Sequence, residues 1–181
     1  MDHLLSELVR LRIGTTFNQY AEGERAALLR ERLTDYLDRR AGAGVLLVGE
    51  APGYRGARVS GIPFTSERLL TGDGPAEATA TIVHRVLAEV GLEQEILLWN
   101  VVPTHPGTES CNRRPSRAEV ASGLRFARLL AEGRRLVAVG RVAQRSCGGL
   151  PLRHPSHGGA REFRSGVVQL LDRGALVPDP A

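Results

Sequence analysis

The sequence predicts an α/β fold, a three-layer α/β/α sandwich around a central four-stranded parallel sheet. Short apolar runs bounded by turn residues alternate with longer stretches of helical periodicity. The runs also end at their carboxyl sides in Gly, Pro, Asn or His, the edge at which such sheets hold ligands. A chain of 181 residues, 42% of them hydrophobic, buries a core without disulfide staples. It reads as one domain over residues 1–181, with a helical segment over 1–42 and a motif-bearing core over about 45–160.

The elements follow in order. A short helix fits residues 4–11. Leu28, Leu29, Leu33, Tyr36 and Leu37 recur at helical spacing and predict an amphipathic helix over 22–40. Residues 45–49 are a buried strand, 76–90 a helix, and 96–102 a second strand containing Asn100 and followed by Pro103. Ser116 and Glu119 form a capping box opening a helix over 116–132, with Val120, Leu124, Ala127 and Leu130 as its apolar stripe. A third strand is expected over 136–140, a short fourth over 152–154, a last helix over 159–173 and a frayed tail over 177–181.

Composition excludes several chemistries. All 24 basic residues are Arg, and the net charge is +4. Without lysine there is no P-loop phosphate clamp and no Schiff base on a lysine side chain. Cys111 and Cys147 form no metal-spaced pair, which fits a reduced intracellular setting, with a single disulfide between them as the alternative. No apolar run reaches the roughly 20 residues of a membrane span, and no charged-then-apolar leader opens the chain. The expectation is a cytoplasmic monomer.

The strand ends bring the polar residues to one edge. Glu50 follows the first strand, Asn100 sits on the second, His154 ends the fourth, and Phe64 lies in the loop after the first turn. Singly, each has a plain structural reading: a cap, a turn amide, a loop imidazole, a core ring. Together they suit a flat heterocycle, with an amide to read its edge, a ring to stack on it and an imidazole to stabilise developing charge. The same edge also fits a DNA- or base-binding module without catalysis, or a small-molecule nucleotide-binding protein.

Four motifs in order carry a family resemblance: GEAPG (49–53), GIPF (61–64), WNVVPTHP (99–106) and HPSHGG (154–159). They resemble those of the uracil-DNA glycosylase superfamily, closest to the branch whose best-known members carry an iron–sulfur cluster. The resemblance implies a DNA repair enzyme that flips uracil out of DNA and hydrolyses its N-glycosidic bond with water. It implies that Phe64 stacks on the base, Asn100 reads its N3–H and O4, and His154 hydrogen-bonds O2. The backbone of Ala51, Pro52 and Gly53 would hold sugar and water, and Ser156 would grip phosphate.

The residues add to this and depart from it. Arg141, Arg145, Arg153, Arg161 and Arg164 face one acid, Glu162, over 141–164, a basic stretch suited to phosphates; Arg153, His157 and Arg161 join Ser156 as expected DNA contacts. Two cysteines cannot supply the four ligands of a cluster, so no iron–sulfur centre, metal or other cofactor is expected. The most efficient branch of the superfamily has Asp where Ala51 stands and Tyr where Gly53 stands. Glu50 is then the expected replacement base, in a slow enzyme, and Tyr54 the nearest ring to exclude thymine.

Overall fold

The computed structural model describes residues 2–176. Val45–Gly49 (β1), Ile96–Asn100 (β2), Arg135–Val139 (β3) and Leu150–Leu152 (β4) form one parallel sheet in the order β2-β1-β3-β4. Every residue of β1 and β2 is buried, as apolar runs without alternation require in a sheet covered on both faces. This is the α/β architecture that the sequence predicts.

The helices are Asp2–Arg10 (α1), Ala26–Arg39 (α2), Ala57–Ser60 (α3), Glu67–Thr71 (α4), Ala78–Glu89 (α5), Arg117–Ala131 (α6), Arg141–Cys147 (α7) and Ala160–Asp172 (α8). Right-handed crossovers decide the layers. The chain moves outward from β1 to β2 through α5, then back across β1 to β3 through α6. These opposite steps put α5 and α6 on opposite faces. Helix α7 packs with α6, and α8 packs with α5. Tyr36 on α2 covers the open side of β2, where its hydroxyl accepts from the Leu98 N–H at 2.7 Å.

Several boundaries differ from the predicted ones. The second strand stops at Asn100, although Val101 and Val102 still donate to the carbonyls of Gly49 and Glu50. The fourth strand is Leu150–Leu152, not 152–154, because Leu150, Pro151 and Leu152 pair with Val137, Ala138 and Val139. Arg153 and His154 have therefore left the sheet. Leu28 is 40% exposed rather than part of the buried face of α2, whose buried set includes Ala26 instead. In α6 the buried stripe is Gly123, Phe126, Ala127 and Leu130, with Val120 and Leu124 only half-buried. Gly123 causes that rotation: a Cβ there would collide with the Val101 carbonyl, so its absence lets the helix close onto the end of β2. The expected tail over 177–181 lies outside the described residues.

The N-terminal segment is laced to the chain leaving β2. Phe17 and His105 exchange both backbone hydrogen bonds in an antiparallel bridge, at 2.8 and 2.9 Å. Gln19 Nε2 donates to the Pro103 carbonyl at 3.0 Å. The predicted capping box closes α6, and its Glu119 also accepts from the Thr15 N–H and from two nitrogens of Arg113, at 2.6 and 2.7 Å. Hydrogen bonds from Arg113 lead the causes that hold the Glu119 carboxyl down at about 2. A depressed carboxyl stabilises above its unfolded pKa, about 4.3, and loses that contribution as the pH falls through its folded value. The Arg113 side chain is 38% exposed, so water can take up its freed charge. Glu119→Gln should therefore cost about 1–2 kcal/mol near neutrality, in the range for a hydrogen bond to a charged group. Urea midpoints of the two proteins should converge as the pH drops from about 5 toward 2.

Candidate active site

Register brings the strand ends level. Gly49 pairs with Asn100, and Val139 with Leu152, so the residues that follow open onto one carboxyl edge. A cleft of about 980 Å³ lies there, and Glu50, Ala51, Pro52, Gly53, Phe64, Asn100, Arg153, His154, Ser156 and His157 all line it. Arg161 does not; it sits exposed on the first turn of α8.

Phe64 and Asn100 meet over Gly49. A Cβ at Gly49 would collide with the Phe64 ring, and it would lie 3.1 Å from the Asn100 side-chain oxygen. Glycine at this position lets ring and amide share the floor of the cleft. Phe64 has φ +54, a strained left-handed conformation for a bulky residue, and such strain persists only where neighbours enforce it. The Ser60 hydroxyl donates to the Thr65 carbonyl at 2.7 Å, and the Thr65 hydroxyl donates to the Pro63 carbonyl at 3.1 Å. Both bonds bracket Phe64.

The tautomer of His154 follows from its partner. The backbone N–H of Ser156 donates to Nδ1 at 3.1 Å, so Nδ1 carries a lone pair and the proton of the neutral ring sits on Nε2. Burial first, then the nearby Arg153 and His157, hold this imidazole below its ordinary pKa. It is a neutral N–H donor at neutral pH. The Ser156 hydroxyl lies 2.8 Å from Nδ1 of His154 and 2.9 Å from Nδ1 of His157, and so joins the two rings.

The GEAPG turn is held from behind. His105, fully buried, lies with Nδ1 2.8 Å from the Pro52 carbonyl and Nε2 2.8 Å from that of Thr108. Asn112 accepts from the Tyr54 N–H at 2.8 Å, and Arg58 pairs with Glu109 at 2.8 Å. The loop after β2 is thereby clamped onto the turn after β1. Burial pushes the Glu50 carboxyl above the usual carboxylate range, and the nearby Arg114 opposes that rise.

The positive charge around the cleft comes from more than one loop. Arg113 and Arg114, which sequence reasoning missed, line it together with Arg141 and Arg153. Of the other expected basic residues, Arg164 pairs with Glu89 at 2.8 Å, and Arg145 is exposed on α7 away from the lining. The adjacent pair in the stretch NRRP (112–115) was the available signal. Glu77 was missed as well. It lines the cleft from the residue preceding α5, where a helix-capping role is the ordinary expectation.

The sequence matches the uracil DNA glycosylase superfamily over residues 37–169. The chain belongs to that superfamily. Its fold is similar to the crystal structure of wild-type Pedobacter heparinus SMUG2, with a TM-score of 0.66 at 13% identity over 95% of this chain and 96% of that one. No curated protein sequence matches it. The superfamily branch whose members hold an iron–sulfur cluster needs four thiolates. Cys111 is exposed in the loop after β2 and Cys147 half-buried at the end of α7, and no group of three or more His, Cys, Asp or Glu among the described residues could hold a metal. The residues of this superfamily member do not fit such a cluster.

Proposed function

We propose that this superfamily member is a monofunctional DNA glycosylase that hydrolyses the N-glycosidic bond of uracil in DNA and works as a monomer in the cytoplasm. The observation that carries the reading is the neutral Nε2–H of His154, lining the same cleft as the Phe64 ring and the Asn100 amide. Bond cleavage leaves an oxocarbenium-like sugar and an anionic base, the charge problem of glycoside hydrolysis. His154 donates to O2 as charge develops there, Asn100 pairs with N3–H and O4, and Phe64 stacks on the ring. Since the target atom is hidden in a duplex, the nucleotide is flipped into the cleft, with Arg114, Arg153 and Ser156 on the flanking phosphates. Glu50 orients the attacking water beside the backbone of Ala51, Pro52 and Gly53. No helix among the described residues is long and apolar enough to cross a membrane.

A second reading, a DNA-binding homologue without useful catalysis, is favoured by Ala51, whose methyl group cannot hold a water. Incubation with single-stranded and duplex oligonucleotides bearing one uracil, followed by alkali, separates the two. Strand cleavage at the uracil is expected. Borohydride should trap no covalent protein–DNA adduct, because there is no lysine to attack the abasic sugar. DNA binding without cleavage would establish the second reading.

A further inference from the structure

We propose that Glu77 is the proton acceptor for the attacking water. This rests on the glycosylase reading above and names a residue for a step that reading leaves open.

The first argument is room. Glu77 reaches from the start of α5 to the turn after β1, and its carboxylate fills the space where side chains at Gly53 and Gly56 would stand. A Cβ at Gly53 would collide with Oε1 and lie 2.8 Å from the carboxyl carbon; one at Gly56 would collide with Oε2 and lie 2.7 Å from that carbon. Both glycines of the stretch GYRG (53–56) keep a place open for this one group.

The second argument is the lack of a partner. Glu77 precedes α5 yet makes no side-chain capping bond, and no hydrogen bond or ion pair holds its carboxylate among the described residues. Glu77 is half-buried and opens onto the cleft, so a water there can reach its carboxylate. A strongly perturbed carboxyl lining a cleft is a candidate for proton transfer. The other charged or titratable groups lining the cleft are Glu50, the arginines at 113, 114, 141 and 153, and the imidazoles of His154 and His157. None of them contributes to its proton affinity: burial alone pushes the Glu77 carboxyl up to about 7. Glu50 differs, since Arg114 opposes its rise. Burial raises both carboxyls, but only Glu50 has a cation nearby that favours its ionised form. Two carboxyls in unlike surroundings take different roles. Glu50 orients the water, and Glu77 receives its proton.

The step balances. Water oxygen bonds to C1′ as the C1′–N1 bond breaks, and that electron pair leaves on the base as its anion. The water proton passes to Glu77, which later releases it to solvent.

Single-turnover uracil excision from a single-stranded oligonucleotide, measured from about pH 5.5 to 8.5, tests this. Only ionised Glu77 accepts a proton, so the wild-type rate should rise through about pH 7 to a plateau. Glu77→Gln should be about 10²-fold slower at the plateau and lose that acid limb, with unchanged DNA affinity. Glu50→Gln should be about tenfold slower and keep the limb. A Glu77→Gln rate within about fivefold of wild type, or a limb lost in Glu50→Gln instead, overturns the assignment. If circular dichroism shows Glu77→Gln misfolded, the wild-type profile decides alone: a rate flat across the range overturns it. A wild type that excises no uracil sinks the glycosylase reading itself, a distinct result.

Discussion

Replacing His154 with alanine should slow uracil release by about 10²- to 10³-fold, the range for removing one preorganised donor to a developing anion. The donor acts on charge that appears only in the transition state, so affinity for uracil-containing DNA should stay within about twofold of wild type. The tautomer sharpens the expectation. Because Ser156 N–H fixes Nδ1 as an acceptor, the lost group is a single N–H on Nε2. His154→Gln, which keeps a donor on a flexible arm, should recover part of the rate. Single-turnover kinetics with a parallel binding titration measures both quantities, and full activity in the alanine variant would remove His154 from the mechanism.

Asn100→Asp should weaken the preference for uracil's edge. The amide can donate to uracil O4 and accept from N3–H, whereas cytosine offers an amino donor and a bare N3 acceptor there. Ionised Asp only accepts, so it loses the bond to O4 and meets lone-pair repulsion. Asn100 is 4% exposed, which leaves water little chance to repair the mismatch. The cost should be about 1–3 kcal/mol, or 10- to 100-fold in uracil release, with trace cytosine release appearing. Excision of both bases by both proteins, after circular dichroism confirms folding, is the measurement. Unchanged uracil release would mean that Asn100 does not read the base.

The sheet and the placement of Glu50, Asn100 and His154 were legible because buried parallel strands advertise themselves as unbroken apolar runs, and polar residues at their ends stand out. Phe64 was legible as an isolated ring in a Gly/Pro turn, although its positive φ was not. Helix α7 was missed because it is only 7 residues long and buries a single residue, Ala143, so it has no apolar period to read. The clefts's other acid, Glu77, could not be read from local pattern. Its position before α5 looks like a cap, and only the tertiary approach to Gly53 and Gly56 gives it another environment. The basic stretch over 141–164 divides in space: Arg141 and Arg153 line the cleft, Arg164 pairs with Glu89, and Arg145 and Arg161 are exposed on α7 and α8 outside the lining.

The strand order β2-β1-β3-β4 has a consequence for how the protein is made. β1 leaves the ribosome first, yet its partners on both sides are synthesised later. Until β2 emerges, the nascent chain carries an unpaired Val-Leu-Leu-Val segment, the kind of edge that recruits other chains. β4, with His154 just behind it, is the last strand to be synthesised. A chain cut short before that point lacks His154 and keeps an incomplete sheet, a sticky fragment for chaperones and proteases.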